Sequence, residues 1–252
     1  MPIALITGAS AGLGAEFARQ LAVQGYDLVL TARNAARLEE AAAALRDNHG
    51  VRVEVLPADL LEPAGLAVVE ARVGASDDPI DLLVNNAGFG LQKSFADNSI
   101  DDEVALAEML IVVPLRLTHA ALGQMLPRKS GTVVNVASVA GYTPRETYGA
   151  AKTWMLNFSR WANVYYRKQG VTVMAIAPGF TRTEFHSRMG VTGVDTVPGF
   201  LWLQAETVVR VGLRDAARGQ AISIPAVRYK IAVALASVLP TSLVVRLAAR
   251  GR

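Results

Sequence analysis

The feature that most constrains this 252-residue chain is an alternation of short apolar runs with longer helix-like segments. The runs are apolar at nearly every position and rich in β-branched residues, which is typical of parallel strands covered on both faces. They lie at 3–7, 27–32, 51–57, 80–85, 131–138, 171–178 and 221–225. Segments rich in Ala, Leu, Glu and Arg separate them, at 12–24, 34–48, 63–73, 99–127, 148–169 and 205–218. The alternation predicts an α/β fold of the Rossmann type, with a doubly wound parallel sheet of about seven strands and helices on both faces.

Glycines stand just after five of the predicted helices, where a left-handed residue is expected to end the helix. They are Gly25, Gly50, Gly74, Gly170 and Gly219. The chain contains no linker, repeat or low-complexity tract, so residues 1–252 are interpreted as a single domain.

Composition excludes several classes of function. The chain has no cysteine, which removes disulfides and thiol catalysis, and its three histidines lack the spacing of metal ligands. The formal net charge is only +3 and the basic residues are scattered, so no nucleic-acid partner is expected.

Neither a membrane span nor a signal peptide is expected, because no apolar run approaches the ~18 residues that a span needs and the chain opens on a strand-like segment. The protein is therefore expected to be cytoplasmic. The tail at about 226–252 is apolar with late arginines, and two readings stay open: contact with a membrane surface, or packing against the domain or a second subunit. The second reading is favoured.

A glycine-rich loop follows the first predicted strand and precedes the first helix. Its sequence is "TGASAGLG", with Gly8, Gly12 and Gly14. Glycines at this point allow a tight turn and let backbone N–H groups approach a pyrophosphate at the helix N-terminus. The loop therefore predicts a dinucleotide site.

The residue after the second strand selects between the two nicotinamide dinucleotides. An acid there binds the ribose 2′-hydroxyl of NAD, whereas an arginine accommodates the 2′-phosphate of NADP. Here no acid follows the strand and Arg33 does, with Arg37 one helical turn later. NADP(H) is favoured over NAD(H).

A tyrosine and a lysine stand four residues apart in "YGAAK", a spacing that places Tyr148 and Lys152 on one helix face. An ammonium about 4 Å from a phenol, at an effective dielectric near 20, favours the phenolate by roughly 4 kcal/mol. That corresponds to about three pKa units, so the pKa of Tyr148 is expected to fall towards ~7, where a general acid or base works best.

Four motifs then occur in order: "TGASAGLG", "ADL" at 58–60, "NNAG" at 85–88, and Ser138 followed by "YGAAK". In these motifs the chain resembles the short-chain dehydrogenase/reductase family, in its compact branch of single-domain enzymes. The resemblance continues through "PGFTRTEF" at 178–185 and says little beyond about residue 190.

The resemblance implies a set of cofactor-binding residues. They are Gly8, Ser10, Gly12, Leu13, Gly14, Asp59, Leu60, Asn86, Ala87, Gly88, Tyr148, Lys152, Pro178, Gly179 and Thr183. In the family, the glycine loop holds the pyrophosphate and adjoining ribose, and the Asp-Leu pair frames the adenine. The Asn-Ala-Gly segment lines the adenosine ribose, and the last three residues place the nicotinamide carboxamide.

The resemblance also implies the catalytic roles. Tyr148 would be the general acid in ketone reduction and the base in the reverse direction, and Ser138 would orient the substrate oxygen. Lys152 would bind the nicotinamide ribose and lower the pKa of the tyrosine.

The chain departs from the family at two points. Ser138 and Tyr148 are only ten residues apart, so the intervening loop is expected to be tight. Leu110 occupies the position of an asparagine that helps hold water behind the lysine in the family's proton relay. The apolar run around Leu110 predicts a well-packed helix with no side-chain relay.

The segment 184–204 lies where the family carries its substrate loop, and its apolar residues predict a pocket for a hydrophobic carbonyl or alcohol. The residues expected to line it are Phe89, Tyr142, Phe180, Phe185, Met189, Phe200, Leu201 and Trp202. The resemblance also implies a homodimer or homotetramer through the two long helices. Two alternatives to an NADP(H)-dependent reductase stay open: an NAD-linked alcohol dehydrogenase, and a dinucleotide-binding regulatory protein with little turnover.

Overall fold

A central sheet of seven parallel strands organises the computed structural model, which describes residues 1–184 and 198–249, the side chains of 246–249 excepted. The strand order is β3-β2-β1-β4-β5-β6-β9. The strands are β1 Ile3–Thr7, β2 Asp27–Thr31, β3 Val53–Val55, β4 Leu82–Asn85, β5 Gly131–Val136, β6 Val171–Ile176 and β9 Ile222–Ser223. The predicted parallel sheet of seven strands is confirmed. The predicted runs extend past several observed strands because the apolar pattern continues into loops at the carboxyl edge.

Helices cover both faces of this sheet. They are α1 Gly12–Val23, α2 Ala35–His49, α3 Pro63–Gly74, α4 Ile100–Ala107, α5 Val113–Arg128, α6 Glu146–Tyr166, α7 Ala205–Ala217, α8 Val227–Val238 and α9 Thr241–Ala249. Two further short strands, β7 Thr181–Arg182 and β8 Leu203–Gln204, pair outside the main sheet.

Two apolar cores lie on opposite faces of the sheet. One is formed with α1, α2 and α7 and contains the fully buried Phe17. The other is formed with α3, α4, α5 and α6 and contains the fully buried Leu117. Because both faces are covered, the central strands are buried at nearly every position, which explains their lack of polar alternation.

Four of the five predicted helix-ending glycines have positive φ: Gly25 (81°), Gly50 (66°), Gly170 (83°) and Gly219 (68°). The prediction for Gly74 is wrong. Gly74 is the last residue of α3, and the chain leaves through an extended Ala75, so no left-handed residue is needed there.

The single helix predicted over 99–127 is interrupted. A π-helical turn, Glu108–Val112, separates α4 from α5, and the Val113 N–H donates to the Glu108 carbonyl five residues before it. Pro114 follows at the start of α5 and has no N–H for the carbonyl of Leu110, which accounts for the local widening. The distortion therefore persists although leucine replaces the family's asparagine.

The continuous helical run Ile100–Arg128 is long and apolar enough to cross a membrane by composition alone. One face of the run packs in the second core, where Leu106, Leu110 and Leu117 are almost completely buried. The run is therefore a core element of the domain.

Candidate active site

The carboxyl ends of β1, β4, β5 and β6 lie side by side, and each leads into one of the motifs singled out from the sequence. The glycine loop follows β1 and the Asn-Ala-Gly segment follows β4. Ser138 lies just after β5, and Pro178 and Gly179 follow β6. The strand order reverses between β1 and β4, and ligands of open α/β sheets bind at such a switch point.

The glycine loop has the backbone that the sequence predicted. Gly8 and Gly12 have φ of 67° and 58°, a region that side chains disfavour. A Cβ on Gly14 would clash with the carbonyl oxygen of Gly8. The loop therefore folds tightly over the N-terminus of α1.

The N-terminus of α1 has no side-chain cap. Ala11 occupies the capping position without a side-chain hydrogen bond, and no acidic residue lies in the first turn. Its first N–H groups are therefore available to an anion, and the helix dipole favours negative charge there. These features fit the pyrophosphate of a dinucleotide.

Asn86 joins β4 to the glycine loop. Its side-chain Nδ2 donates to the carbonyls of Thr7 (2.8 Å) and Gly8 (3.3 Å). The Thr7 hydroxyl in turn accepts from the backbone N–H groups of Asn86 and Ala87, each at 2.9 Å. Asn86 and Thr7 thus hold the two loops in a fixed relation.

Arg33 lies exposed at the end of β2 and forms no ion pair within residues 1–184 and 198–249. Arg37 is different, because its guanidinium pairs with Glu184 at 3.0 Å. Of the two arginines, Arg33 is therefore the one whose charge is not paired within the part of the chain that the structure describes.

Asp59 and Leu60 follow β3. The Asp59 carboxylate accepts from the backbone N–H of Leu61 at 3.0 Å, which fixes the turn. The Leu60 side chain is buried in the second core.

Ser138, Tyr148 and Lys152 are brought together in spite of the short spacing. Ser138 caps a 3₁₀ turn, Val139–Tyr142, and its hydroxyl accepts from the Ala140 N–H at 3.1 Å. The same hydroxyl lies close enough to the Tyr148 phenol to act on its pKa.

Lys152 lies beneath the tyrosine. Its Nζ donates to the Val136 carbonyl at 2.7 Å and lies 5.6 Å from the centroid of the Tyr148 ring. Lys152 is buried, as expected for a residue on the inner face of α6. The serine hydroxyl, phenol and ammonium thus form one cluster beside the β5 carboxyl end.

The expected lowering of the tyrosine pKa is wrong for this cluster. Burial raises the pKa of Tyr148 to about 12, although the nearby Ser138 hydroxyl and the charge of Arg145 act to lower it. Burial also lowers the pKa of Lys152 to about 7. The Coulomb argument from spacing omitted the desolvation of both groups, which dominates here.

Leu110 is buried in the π turn and approaches the Asn-Ala-Gly segment. A Cβ on Gly88 would lie 2.9 Å from Leu110 Cδ2, so glycine at 88 permits the close contact. The predicted tight packing of Leu110 is confirmed, and the helix distortion accompanies it.

Tyr229 of α8 was not anticipated from the sequence. Its ring covers Gly179 so closely that any Cβ there would clash with it. Its hydroxyl accepts from the Phe180 N–H at 3.0 Å and donates to the Leu201 carbonyl at 2.8 Å. The C-terminal region therefore fixes the segment after β6, and only the isolated tyrosine in an apolar tail hints at this in the sequence.

Thr183 brings this segment next to the glycine loop. A Cβ built on Gly12 would lie 3.3 Å from the Cβ of Thr183, so the two residues are in close contact. Thr183 and the glycine loop are thus neighbours, as a shared dinucleotide site requires.

Aromatic side chains lie on the side expected for substrate. Phe180 and Trp202 have ring centroids 5.7 Å apart, and the Arg182 guanidinium lies 5.6 Å above the Trp202 ring. Phe89 and Tyr142 are partly buried, and Phe200 is exposed. Phe185 and Met189 lie outside the described residues, as does most of the segment 184–204.

A buried polar network beneath the site was also missed. Asn85 donates to Asn135 (2.9 Å) and to the Thr118 hydroxyl (3.1 Å), and Asn135 donates to the Ser159 hydroxyl (3.0 Å). The two asparagines interrupt otherwise apolar strands, which is the signal that sequence reading could have used.

Comparison with known proteins supports the assignment that the motifs suggested. The family model described as short chain dehydrogenase matches residues 2–191. A short-chain dehydrogenase from Sphingobium yanoikuyae in complex with NADPH is 34% identical, with a TM-score of 0.85 over 96% of this chain and 98% of the other. The bulky-bulky ketone specific alcohol dehydrogenase from Comamonas testosteroni is 30% identical, with a TM-score of 0.81 over 96% of each chain.

Among curated proteins, serine 3-dehydrogenase of Agrobacterium fabrum is 36% identical over 186 residues, 72% of each chain. A match of the family model over most of the chain, together with relatives at this identity, is decisive. This chain belongs to the short-chain dehydrogenase/reductase family and is an oxidoreductase.

Proposed function

We propose that the protein is an NADP(H)-dependent oxidoreductase that interconverts an apolar ketone or aldehyde with its alcohol, with Tyr148 as general acid and base. The observation that carries the proposal is the cluster of Ser138, Tyr148 and Lys152 at the same sheet edge as the glycine loop. That loop leads into α1, whose N-terminus has no side-chain cap. A protein that only bound dinucleotide would have no use for a phenol placed between a serine hydroxyl and a buried lysine.

The proposed cofactor preference depends on Arg33. It is exposed at the end of β2, has no partner within the described residues, and no acid takes the place that a ribose 2′-hydroxyl would require. The NADPH complex of the Sphingobium relative supports use of the phosphorylated cofactor in this family.

The residues present fit a nicotinamide dinucleotide from end to end. The N-terminus of α1 would hold the pyrophosphate, and Arg33 the 2′-phosphate. Pro178, Gly179 and Thr183 would hold the nicotinamide end. When bound, the cofactor supplies a hydride to the carbonyl carbon.

The chain's own residues would supply the proton. Ser138 and Tyr148 place two hydroxyl groups where a carbonyl oxygen gains negative charge, and both can donate to it. With its pKa at about 12, Tyr148 is a neutral phenol at neutral pH and therefore carries the proton that reduction consumes. The protonated phenol is the form of Tyr148 that carbonyl reduction requires.

Lys152 would assist by its position. Its pKa of about 7 means that it gains or loses a proton near neutral pH, and it lies against the tyrosine ring. The burial of Leu110 leaves no polar side chain at the position of the family's asparagine. We therefore assign reprotonation of the phenol mainly to Lys152, with any water held by backbone carbonyls of the π turn.

An apolar substrate is supported by the residues around the site. Phe180 and Trp202 pack against each other just after the expected nicotinamide segment, and Phe89 and Tyr142 lie at partly buried positions. The Comamonas relative is described as specific for bulky-bulky ketones, which agrees with a wide apolar pocket.

We also infer a cytoplasmic homodimer or homotetramer. The outer faces of the long helices expose large apolar side chains, which an oligomer interface would cover. They are Val104, Val112, Leu115, Trp161, Val164 and Tyr165.

The test is a screen of cofactor oxidation against a panel of aliphatic, aromatic and polycyclic ketones and aldehydes, run with NADPH and NADH separately. The proposal predicts turnover of apolar carbonyls with NADPH and much slower turnover with NADH. Faster turnover with NADH would favour the NAD-linked alternative. Tight NADPH binding without turnover of any carbonyl would favour the regulatory alternative.

A further inference from the structure

An exposed apolar stripe runs along α8 in the C-terminal region. Val227, Ile231, Leu235 and Val238 are 71%, 56%, 56% and 77% exposed, and their spacing of four, four and three residues places them on one face of the helix. Leu239, Leu243 and Val245, in the turn and in α9, extend the exposed apolar surface. Large apolar side chains grouped in this way indicate a surface that binds another apolar surface.

The opposite face of α8 is fixed to the domain. Tyr229, about half a turn from the stripe, is buried and holds the segment after β6 through its two hydrogen bonds. In α9, Val244 is buried between exposed neighbours. The stripe thus points outward because the helix is attached by its other side.

The charge of this region is of one sign. Residues 226–252 contain five Lys and Arg residues and no Asp or Glu, so the preceding residues hold the remaining 20 Lys and Arg against all 22 Asp and Glu. On α8 the helical positions of Arg228 and Lys230 flank the apolar stripe, one on each side. An outward apolar stripe bordered by cations is the pattern of a helix that lies in a membrane interface.

A cationic cleft adjoins the stripe. Its volume is about 310 Å³, and Arg214, Arg218 and Lys230 contribute to its walls. The single carboxylate there, Asp215, is engaged by Arg214 at 2.9 Å and by the Ser223 hydroxyl at 2.7 Å. The cleft therefore suits an anionic headgroup, and Lys230 precedes Ile231 of the stripe directly.

We propose that α8 and α9 form a docking surface for an anionic lipid bilayer. The stripe enters the headgroup region, and the flanking cations and the cleft bind lipid phosphates. A second copy of the chain is a poorer occupant, since a two-fold contact would place the same cations opposite one another. A bilayer of anionic lipid satisfies both the apolar stripe and the positive charge.

The position of this surface has a consequence for the active site. Tyr229 belongs to α8 and packs on Gly179, so the docking surface borders the expected nicotinamide and substrate region. An enzyme held in this way would take an apolar substrate directly from the membrane. That consequence depends on the proposed function, whereas the docking itself does not.

The test is flotation of the full-length protein with vesicles of phosphatidylcholine alone and of phosphatidylcholine mixed with phosphatidylglycerol. We expect binding to the anionic vesicles and little to the neutral ones. Each cation near an anionic surface contributes about fivefold to partitioning. Raising the salt from about 0.1 M to about 1 M shortens the Debye length from ~10 to ~3 Å and should release much of the protein.

Leu235→Glu should lower partitioning by roughly tenfold or more, because the stripe then loses a large apolar side chain. Lys230→Gln should lower it by about fivefold. The matched control is Val68→Glu, which places the same charge at a 51% exposed valine. Val68 lies on α3, on the opposite face of the sheet from α8, so this variant should bind vesicles as the wild type does. Circular dichroism and NADPH binding should be unchanged in all three variants.

Equal binding to both vesicle types would overturn the proposal, and so would wild-type binding by Leu235→Glu. Absence of vesicle binding, combined with a wild-type oligomer that Leu235→Glu dissociates, would also overturn it and assign the stripe to a contact between copies of the chain. Vesicle binding is measured without turnover, so this result is independent of the carbonyl screen.

Discussion

At the scale of single residues, the chemistry depends on charges whose surroundings the sequence does not reveal. The spacing of Tyr148 and Lys152 predicted their proximity correctly, and the lysine does lie against the tyrosine ring. The predicted direction of the tyrosine pKa was wrong because Lys152 is buried and Tyr148 is partly buried, and desolvation disfavours ammonium and phenolate alike. Burial depends on elements far apart in the chain, which a local motif does not specify.

The burial of Lys152 has a measurable consequence for the stability of the fold. Its pKa is about 7 in the folded protein and ordinarily 10.5, so between those values the unfolded chain binds the extra proton. The free energy of unfolding contributed by this group therefore rises with pH from about 7 to about 10.5. Lys152→Met removes the titration, so the difference in unfolding free energy, wild type minus variant, should grow as the pH rises through this window.

The measurement is urea unfolding of both proteins without cofactor at several pH values between about 7 and 9, below the range in which most tyrosines titrate. A pH-independent difference would contradict the burial of a neutral lysine. A difference that shrinks with rising pH would indicate a lysine stabilised in its charged form.

Arg33 carries the prediction on cofactor choice. Arg33→Ala should weaken NADPH binding by roughly 10- to 100-fold, as expected for the loss of a charge-assisted hydrogen bond of about 1.5–3 kcal/mol. NADH binding should hardly change. Arg37→Ala is the control, because it removes an equal charge that is already paired with Glu184.

Fluorescence titration of both variants with both cofactors checks this. Equal weakening of NADPH and NADH by Arg33→Ala would exclude Arg33 as the selector. If Arg37→Ala instead lost more NADPH affinity than Arg33→Ala, with NADH affinity unchanged, Arg37 would be the residue that selects the cofactor.

At the scale of elements, the apolar runs predicted the strands because parallel strands covered on both faces must be apolar throughout. The helix over 99–127 was predicted as one segment because most of its residues are good helix formers. Its π turn arises from backbone hydrogen bonding at Pro114, which apolar periodicity does not register. The attachment of α8 through Tyr229 was not predicted either, since a lone tyrosine in an apolar tail does not indicate which residue it will contact.

The π turn leads to a prediction for Leu110. Leu110→Asn places an amide where the family has one, in a turn that is already distorted, so turnover should rise or stay unchanged. Stability should fall by about 1–3 kcal/mol because the amide is buried with few partners. Turnover and chemical unfolding of the variant are compared with those of the wild type on a carbonyl identified by the screen.

Leu117→Asn is the matched control, because Leu117 is equally buried but lies in regular α5 beyond the π turn. It should lose stability without any gain in turnover. A large fall in the turnover of Leu110→Asn, with fold and cofactor affinity intact, would mean that Leu110 itself serves the site through its packing on Gly88.

At the scale of the whole molecule, the doubly wound sheet brings four distant segments to one edge. The sequence predicted this assembly because each motif directly follows a predicted strand, and carboxyl ends of parallel strands share an edge. It did not predict what the assembly does to each side chain. The depth at which Tyr148 and Lys152 are buried, and the contact of Leu110 with Gly88, are set by packing among α4, α5, α6 and the sheet.

The central claim is that this assembly donates a proton from Tyr148 to a carbonyl oxygen. The most direct measurement is NADPH-dependent turnover by Tyr148→Phe, which removes the hydroxyl and keeps the ring that packs against the second core. Turnover should fall by the ~10²- to 10⁴-fold typical of a lost general acid, while NADPH affinity and thermal stability change little. Turnover by the phenylalanine variant at a rate comparable to the wild type would contradict the account.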